Sequence, residues 1–303
     1  MRTLDWIFAA RPMLLVPVWT IYLVALHYHH SIAKETFDLL DVLSLSALSL
    51  AFAGAYYINQ VYDIESDRLN NKVGFLPRGL IRPDAMLAAF VIVSLAGLCV
   101  AGGVSFWMLG LVAQIVVLSW TYSAPPVRFK DRPVSGPLAN GWAVGLVTSL
   151  SVMPRQSLDR LGLLGWDNPV YFFLAVVAVT IITTIPDRDG DAATGKQTLA
   201  VRLGARWSLA VAAVCLGAAV AVAWRSGYPA LVYAALFALV VSLFALAAPT
   251  TRLILLAAKV PIVVLTLMAC AFYPFYLLFL VALILGTRIY YHKRFGIVYP
   301  TIA

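Results

Sequence analysis

Residues 13–28, MLLVPVWTIYLVALHY, run from Met13 to Tyr28 without one Asp, Glu, Lys or Arg. A helix crossing the hydrocarbon core of a bilayer needs about 20 largely apolar residues, a length this stretch reaches with its neighbours. Similar runs recur outward from it, near 12–30, 41–63, 84–103, 105–122, 136–153, 169–186, 206–225, 229–248, 252–272 and 274–291. Only Tyr273-Pro274 separates the last two, so nine or ten spans are expected. Lipid-exposed backbone must satisfy its own hydrogen bonds, which leaves helix bundles and closed barrels. Barrel strands alternate polar and apolar residues over about ten positions, whereas these runs are longer and apolar on every face. The expected fold class is all-α: a polytopic membrane helix bundle, with residues 1–303 forming a single domain.

Composition points the same way. Of the 303 residues 62% are hydrophobic and 12% charged, about half the charge of a soluble domain. A water-soluble fold could not cover that apolar surface. Cys99, Cys215 and Cys270 fall inside apolar runs and read as small core residues. His27, His29, His30 and His292 sit at span ends, where interfacial solvation explains them better than a metal cluster. The segment Met1–Pro12 does not read as a cleaved signal: the run after it is span-length and no small-residue cleavage site follows. The chain is expected to stay inserted.

Cytoplasmic loops collect Lys and Arg. With the N-terminus inside, the inner segments hold fourteen of the 22 bases and the opposite loops hold four. The expected location is an integral, multi-pass protein of the cell membrane, with the ends of spans two, four and six facing the cytoplasm. This bias also explains the net charge of +8. No basic run interleaves with aromatics on a soluble surface, so no nucleic-acid partner is expected, and no obligate protein partner is evident. Membrane lipid is the expected surrounding.

Six of the fourteen acids fall in two short clusters, Asn59-Gln60-Val61-Tyr62-Asp63-Ile64-Glu65-Ser66-Asp67 and Asp187-Arg188-Asp189-Gly190-Asp191. Acids at span ends are costly to bury and mark functional sites by default. Asn59, Asp63 and Asp67 are four apart. On a continuous helix each such step advances about 400°, so the three side chains share a face within roughly 80°. Asp187 and Asp191 repeat the step, with Pro186 placed to kink the helix before them. Two carboxylate ladders facing each other repel and need a cation. Oxygen-only ligands suit Mg²⁺, which keeps several waters and takes one or two carboxylates plus substrate phosphates. A diphosphate is the natural third party, with metal ions between it and the candidate ligands Asn59, Asp63 and Asp67 on one side and Asp187 and Asp191 on the other; solvated helix ends beside a loop are the alternative reading.

Cations flank both clusters: Arg68, Lys72 and Arg78 after the first, Arg188 and Lys196 within and after the second. A third segment, Tyr122-Ser123-Ala124-Pro125-Pro126-Val127-Arg128-Phe129-Lys130, ends span four. Its two prolines stop the helix and set a rigid turn, carrying Arg128 and Lys130 to the acids' side. Arg grips phosphate through a bidentate fork and Lys through a point charge. The candidate diphosphate-binding set is Asn59, Arg68, Lys72, Arg128, Lys130, Arg188 and Lys196. Positive-inside loops also hold such bases without any ligand.

These residues resemble the UbiA superfamily of intramembrane prenyltransferases. Four blocks carry the likeness: Arg11-Pro12; Asn59-x-x-x-Asp63-x-x-x-Asp67-Arg68; Tyr122-Ser123-x-x-Pro126-x-Arg128-x-Lys130; and Asp187-x-x-Gly190-Asp191 with Gly195-Lys196-x-Thr198-Leu199 and Gly204. This chain departs from the pattern at Asn59-Gln60, often Asn-Asp, and at Phe75-Leu76-Pro77-Arg78-Gly79, where an Arg-Pro pair before Ser-Gly is common.

The resemblance implies about nine helices around a central cavity, capped by short cytoplasmic loop helices and open sideways to lipid. It implies Mg²⁺-dependent transfer of a polyprenyl group from an isoprenyl diphosphate, such as geranylgeranyl diphosphate, through an allylic cation. The lipophilic acceptor is an aromatic ring, a glycerol phosphate ether lipid or haem. Asp63, Asp67, Asp187, Asp191 and Tyr122 are the catalytic candidates. Aromatic faces stabilise cations, which also nominates Tyr56 and Tyr57, although tyrosines gather at membrane interfaces regardless. The alternative is a secondary transporter using the acids as a cation or proton site. Its acids, however, would sit near mid-membrane and not at span ends.

Overall fold

The computed structural model describes residues 3–33, 36–69, 74–153 and 166–300. Among them, helix is the regular structure throughout. A short α1 (Thr3–Ala9) precedes α2 (Pro12–Ala33), α3 (Leu39–Tyr62) and α4 (Ile64–Leu69). Then come α5 (Pro83–Val104), α6 (Phe106–Ser123), a 3₁₀ turn (Phe129–Asp131) and α7 (Ser135–Asn140). A π-helical segment (Gly141–Val147) runs without a break into α8 (Thr148–Leu150). The second half holds α9 (Asp167–Thr183), α10 (Arg188–Ala193), α11 (Leu199–Ser226), α12 (Pro229–Ala247), α13 (Thr251–Phe272) and α14 (Pro274–Phe295).

Each of the ten apolar runs coincides with a helical stretch. Eight, α2, α3, α5, α6 and α11 to α14, are long and apolar enough to cross a membrane. The other two are the 17-residue α9 and the run from α7 to α8. The apolar surface faces outward: Phe106, Val214, Trp224, Leu278 and Phe244 are all exposed, as side chains facing lipid should be. Small polar residues such as Ser44, Ser94, Ser119, Ser242 and Thr287 are buried between helices instead, where they allow close approach and hydrogen bonding.

α3 packs on α5 and α6, while α9 packs on α11 and α11 on α12. α2 and α13 lie between these groups, and α2 is enclosed along most of its length, with its own Val18, Tyr22, Leu23, Val24 and Leu26 buried. The π-helical segment rests on α9 because of Gly145. A Cβ there would lie 2.5 Å from the carbonyl oxygen of Phe172, so only glycine permits the contact. Short elements, α4, the 3₁₀ turn and α10, sit together at one end of the bundle, and the acids and lysines lie on them or directly beside them.

Candidate active site

The helix that should carry the first ladder is interrupted. α3 stops at Tyr62, and Asp63 takes φ −109°, ψ 8° before α4 begins. Asn59 and Asp63 share one cavity wall, and the amide of Asp67 donates to Asp63 O at 2.7 Å, so Asp67 sits one turn on from Asp63. Asp67 is buried outside the cavity, and its Oδ2 pairs with Arg11 Nη2 at 3.3 Å.

The second ladder holds. α9 ends at Thr183, ahead of Pro186, and the amide of Asp191 donates to Asp187 O at 2.9 Å. Asp187 and Asp191 thus sit one turn apart and both line the cavity. Gly195 then adopts φ +76°, a left-handed turn that costs glycine little. The turn folds Lys196 back, so its amide donates to Asp191 O at 3.0 Å.

Lys130 arrives by a third route. Arg128 sits at φ 44°, ψ 62° and opens the 3₁₀ turn, which buries Lys130. Arg128 Nε pairs with Asp131 Oδ2 at 2.7 Å, spending its charge on the turn itself. The Gln197 amide donates to Asp131 O at 2.8 Å, tying this turn to the second acid motif.

These three segments meet around two ammonium groups. Lys130 Nζ lies 2.8 Å from Asp63 Oδ1 and donates to Asn59 Oδ1 at 3.3 Å. Lys196 Nζ lies 3.2 Å from Asp191 Oδ1, 3.6 Å from Asp63 Oδ1 and 3.1 Å from Ser66 Oγ. One ammonium therefore touches carboxylates from motifs more than 120 residues apart in sequence. Ser123 Oγ donates to Asn59 Oδ1 at 3.4 Å. Burial pulls the Lys130 ammonium below its ordinary pKa despite the pull of Asp63. For Lys196 burial acts in the same direction, but Asp63 and Asp191 together outweigh it and the net shift is upward.

Not every candidate joins this cluster. Arg68 is exposed and faces Glu65 at 3.9 Å, and Arg188 is exposed on α10. Lys72 lies outside the described residues. Tyr57 is buried behind the wall, with its hydroxyl donating to Trp6 O at 2.8 Å.

Behind the charged mouth a cavity of about 280 Å³ continues along Phe52, Ile115, Ser119, Tyr122, Ala143 and Val144. It shares Tyr56, Asn59, Tyr122, Asn140, Val144, Thr184 and Asp187 with a larger apolar chamber of about 550 Å³ between α2, α9 and α13. That chamber is lined by Pro17, Ile21, Phe172, Val176, Val179, Ile262 and Leu265 among others. Tyr122 stands at the junction, its hydroxyl accepting from Asn140 Nδ2 at 2.9 Å. Tyr56 lines both spaces, and its hydroxyl donates to Leu14 O at 2.7 Å. Asn140 and Thr184 escaped the sequence reading. The signal was there: each is a polar residue in or beside an otherwise apolar run.

Among the described residues no three His, Cys, Asp or Glu side chains converge into a ready-made metal cage. The donor set nonetheless fits Mg²⁺. Asn59, Asp63, Asp187 and Asp191 offer only oxygen around one cavity, and two ammonium groups now provide the positive charge those oxygens require. An ion shared with substrate phosphates needs only one or two protein carboxylates.

Comparison with known proteins gives this architecture a lineage. A UbiA homolog from Archaeoglobus fulgidus bound to GPP and Mg²⁺ has the same fold, with a TM-score of 0.68 at 18% identity over 88% of this chain and 99% of that one. An apo UbiA homolog from Aeropyrum pernix K1 gives 0.66 at 19% identity over 84% and 96%. In sequence, a digeranylgeranylglyceryl phosphate synthase of Sulfolobus acidocaldarius is 30% identical over 183 residues, 60% of this chain and 64% of that protein. The chloroplastic homogentisate solanesyltransferase of Arabidopsis thaliana is 32% identical over 173 residues, 54% and 45%. These matches span less than two thirds of the relatives' own length. The model of the UbiA prenyltransferase family matches residues 14–252, a stretch that takes in both acid motifs and the turn bearing Lys130. The chain belongs to the UbiA prenyltransferase family.

Proposed function

We propose that this protein transfers a prenyl group from an isoprenyl diphosphate to a lipophilic acceptor within the membrane. The observation that carries the reading is Lys196, whose ammonium spans Asp63 and Asp191 at the mouth of an apolar chamber. A strongly charged mouth on a greasy pocket suits a ligand with a diphosphate head and a hydrocarbon tail. The relatives' names, digeranylgeranylglyceryl phosphate synthase and homogentisate solanesyltransferase, agree with that ligand class, as do the GPP and Mg²⁺ bound to a protein of the same fold.

In this reading Asn59 and Asp63 would hold one Mg²⁺, and Asp187 and Asp191 would hold a second. Bound there, Mg²⁺ would supply positive charge that stabilises the diphosphate as leaving group. Substrate entry frees Lys130 and Lys196 from full engagement with the carboxylates and turns them toward the phosphates as point charges. Asp67, engaged with Arg11, orients the segment after Asp63 without entering the cavity. The carbon–oxygen bond then breaks to leave an allylic cation. The Tyr122 ring faces the space where that charge develops, and its quadrupole favours it. The walls of Phe52, Ile115 and Val144 keep water from quenching the cation. The 550 Å³ chamber takes the prenyl tail, and the acceptor approaches along the smaller arm. The excess of Lys and Arg on this side of the spans supports a mouth that faces the cytoplasm.

The test is direct. Purified protein in nanodiscs is incubated with Mg²⁺, geranylgeranyl diphosphate and either geranylgeranylglyceryl phosphate or homogentisate, and products are identified by mass. Prenylation of one acceptor with stoichiometric diphosphate release supports the reading and names the acceptor class. Absence of diphosphate release with every prenyl length and acceptor would overturn it.

A further inference from the structure

The last turn of α3 carries the start of the first acid motif, and side-chain bonds tie it to the segment before α2 and to the first turn of that helix. Tyr57 OH donates to Trp6 O at 2.8 Å and Tyr56 OH to Leu14 O at 2.7 Å. Gln60, only 3% exposed, donates from Nε2 to Ala9 O and Tyr56 O, each at 2.8 Å. Its own carbonyl accepts the amide of Asp63 at 3.3 Å. Arg11 completes the set by pairing with Asp67 at 3.3 Å. α1 therefore acts as a saddle for the acid motif.

The saddle is itself held from the far end of the chain. Asp5 is fully buried and receives Arg294 Nε at 3.2 Å, Arg294 Nη2 at 3.0 Å and the hydroxyl of Tyr290. Phe8 stacks on the Tyr290 ring at 3.8 Å between centroids. A buried carboxylate stripped of its partners is strongly destabilising, so this pairing confines α1 to a narrow range of positions. Both halves of the arrangement, α1 and the end of α14, lie outside the family match at 14–252. No residue of α1 or of the end of α14 lines the cavity.

We propose that α1 and the end of α14 form an intramolecular clamp that sets the geometry of the first acid motif for metal binding, with Gln60 as the positioning residue between clamp and Asp63. The inference rests on the metal-dependent prenyl-transfer reading for its purpose, and on the bonds above for its existence.

The test uses the full chain and the variants Asp5→Asn, Arg294→Gln, their double, and Gln60→Met. Mn²⁺ binding is followed by electron paramagnetic resonance in the presence of inorganic diphosphate, and turnover is followed against Mg²⁺ concentration. Supporting residues around metal ligands are worth about 10–100-fold in metal affinity. The clamp variants should bind Mn²⁺ about tenfold more weakly and need correspondingly more Mg²⁺. Turnover at saturating Mg²⁺ should stay within about twofold of wild type, and the double should be no worse than either single. Folded variants that bind Mn²⁺ as wild type does would overturn the proposal. If the Asp5 and Arg294 variants do not fold, Gln60→Met decides alone, since it leaves that ion pair intact. Wild-type protein that binds Mn²⁺ but consumes no prenyl diphosphate would sink the prenyl-transfer reading and leave the clamp standing.

Discussion

Lys130 Nζ lies 2.8 Å from Asp63 Oδ1, and both groups are largely buried. Two charges brought out of water together are costly unless their remaining bonding positions are filled. Here Asn59 accepts from Lys130, and Lys196 lies against Asp63. The pair reads as a site kept charged for a ligand rather than as a device for stability, since an apolar pair of the same volume would hold the fold as well.

Asp63→Ala and Asp191→Ala should each lower turnover by on the order of 10²–10³-fold, the usual cost of removing a group aimed at developing charge. Both proteins should still insert, because the spans do not depend on either side chain. Diphosphate release is measured on protein that elutes as a single species. Wild-type rates from either variant would mean the carboxylates do not hold the reactive head.

The two lysines should separate by pH. Burial lowers the Lys130 pKa, whereas Asp63 and Asp191 leave that of Lys196 raised. On raising pH, Lys130 loses its proton first, and the diphosphate loses a point charge. The alkaline fall of kcat/KM, which reports the free enzyme, should therefore follow Lys130. Lys130→Arg stays charged throughout the accessible range and should move the fall to higher pH, while Lys196→Arg should leave its position unchanged. A profile that moves with Lys196 instead would reverse the assignment.

Tyr122 offers a choice between ring and hydroxyl. Its hydroxyl is engaged by Asn140 at 2.9 Å, which leaves the ring face for the cavity. Tyr122→Phe keeps the quadrupole and should cost less than about fivefold, near the net value of one hydrogen bond. Tyr122→Leu removes the quadrupole and should cost about 30-fold or more if a desolvated cation–π contact of roughly 2 kcal/mol is lost. Equal losses in both variants would point to the hydroxyl.

Much of this arrangement was legible in the sequence because lipid simplifies the code. Long apolar runs such as Met13–Tyr28 have one outcome in a bilayer, and all ten such runs became helical. Asp187 and Asp191 were legible because a single turn joins them. Asp67 keeps the step as well, its amide donating to Asp63 O at 2.7 Å, but local spacing does not reveal that its carboxylate meets Arg11. Arg128 and Arg68 show the other limit. A base beside an acid motif reads the same whether it faces a phosphate or its own neighbours Asp131 and Glu65.

The chamber between α2, α9 and α13 should set prenyl length. Val176 and Val179 face it from α9, and Leu265 faces it from α13. A tail that threads past the head site must pass these side chains, whereas a shorter one need not reach them. Filling the space with Val179→Trp places bulk in open volume rather than in packed core, so folding should survive. Forcing an occupied space to accept extra groups costs roughly 1–3 kcal/mol, which is about 5- to 150-fold in discrimination. The ratio of kcat/KM for geranylgeranyl over geranyl diphosphate should drop by that factor, with affinity for inorganic diphosphate unchanged because the charged mouth is untouched. An unaltered ratio would move the tail to the smaller arm along Phe52 and Ile115, and the matching substitution there, Ile115→Trp, would then shift the preference instead.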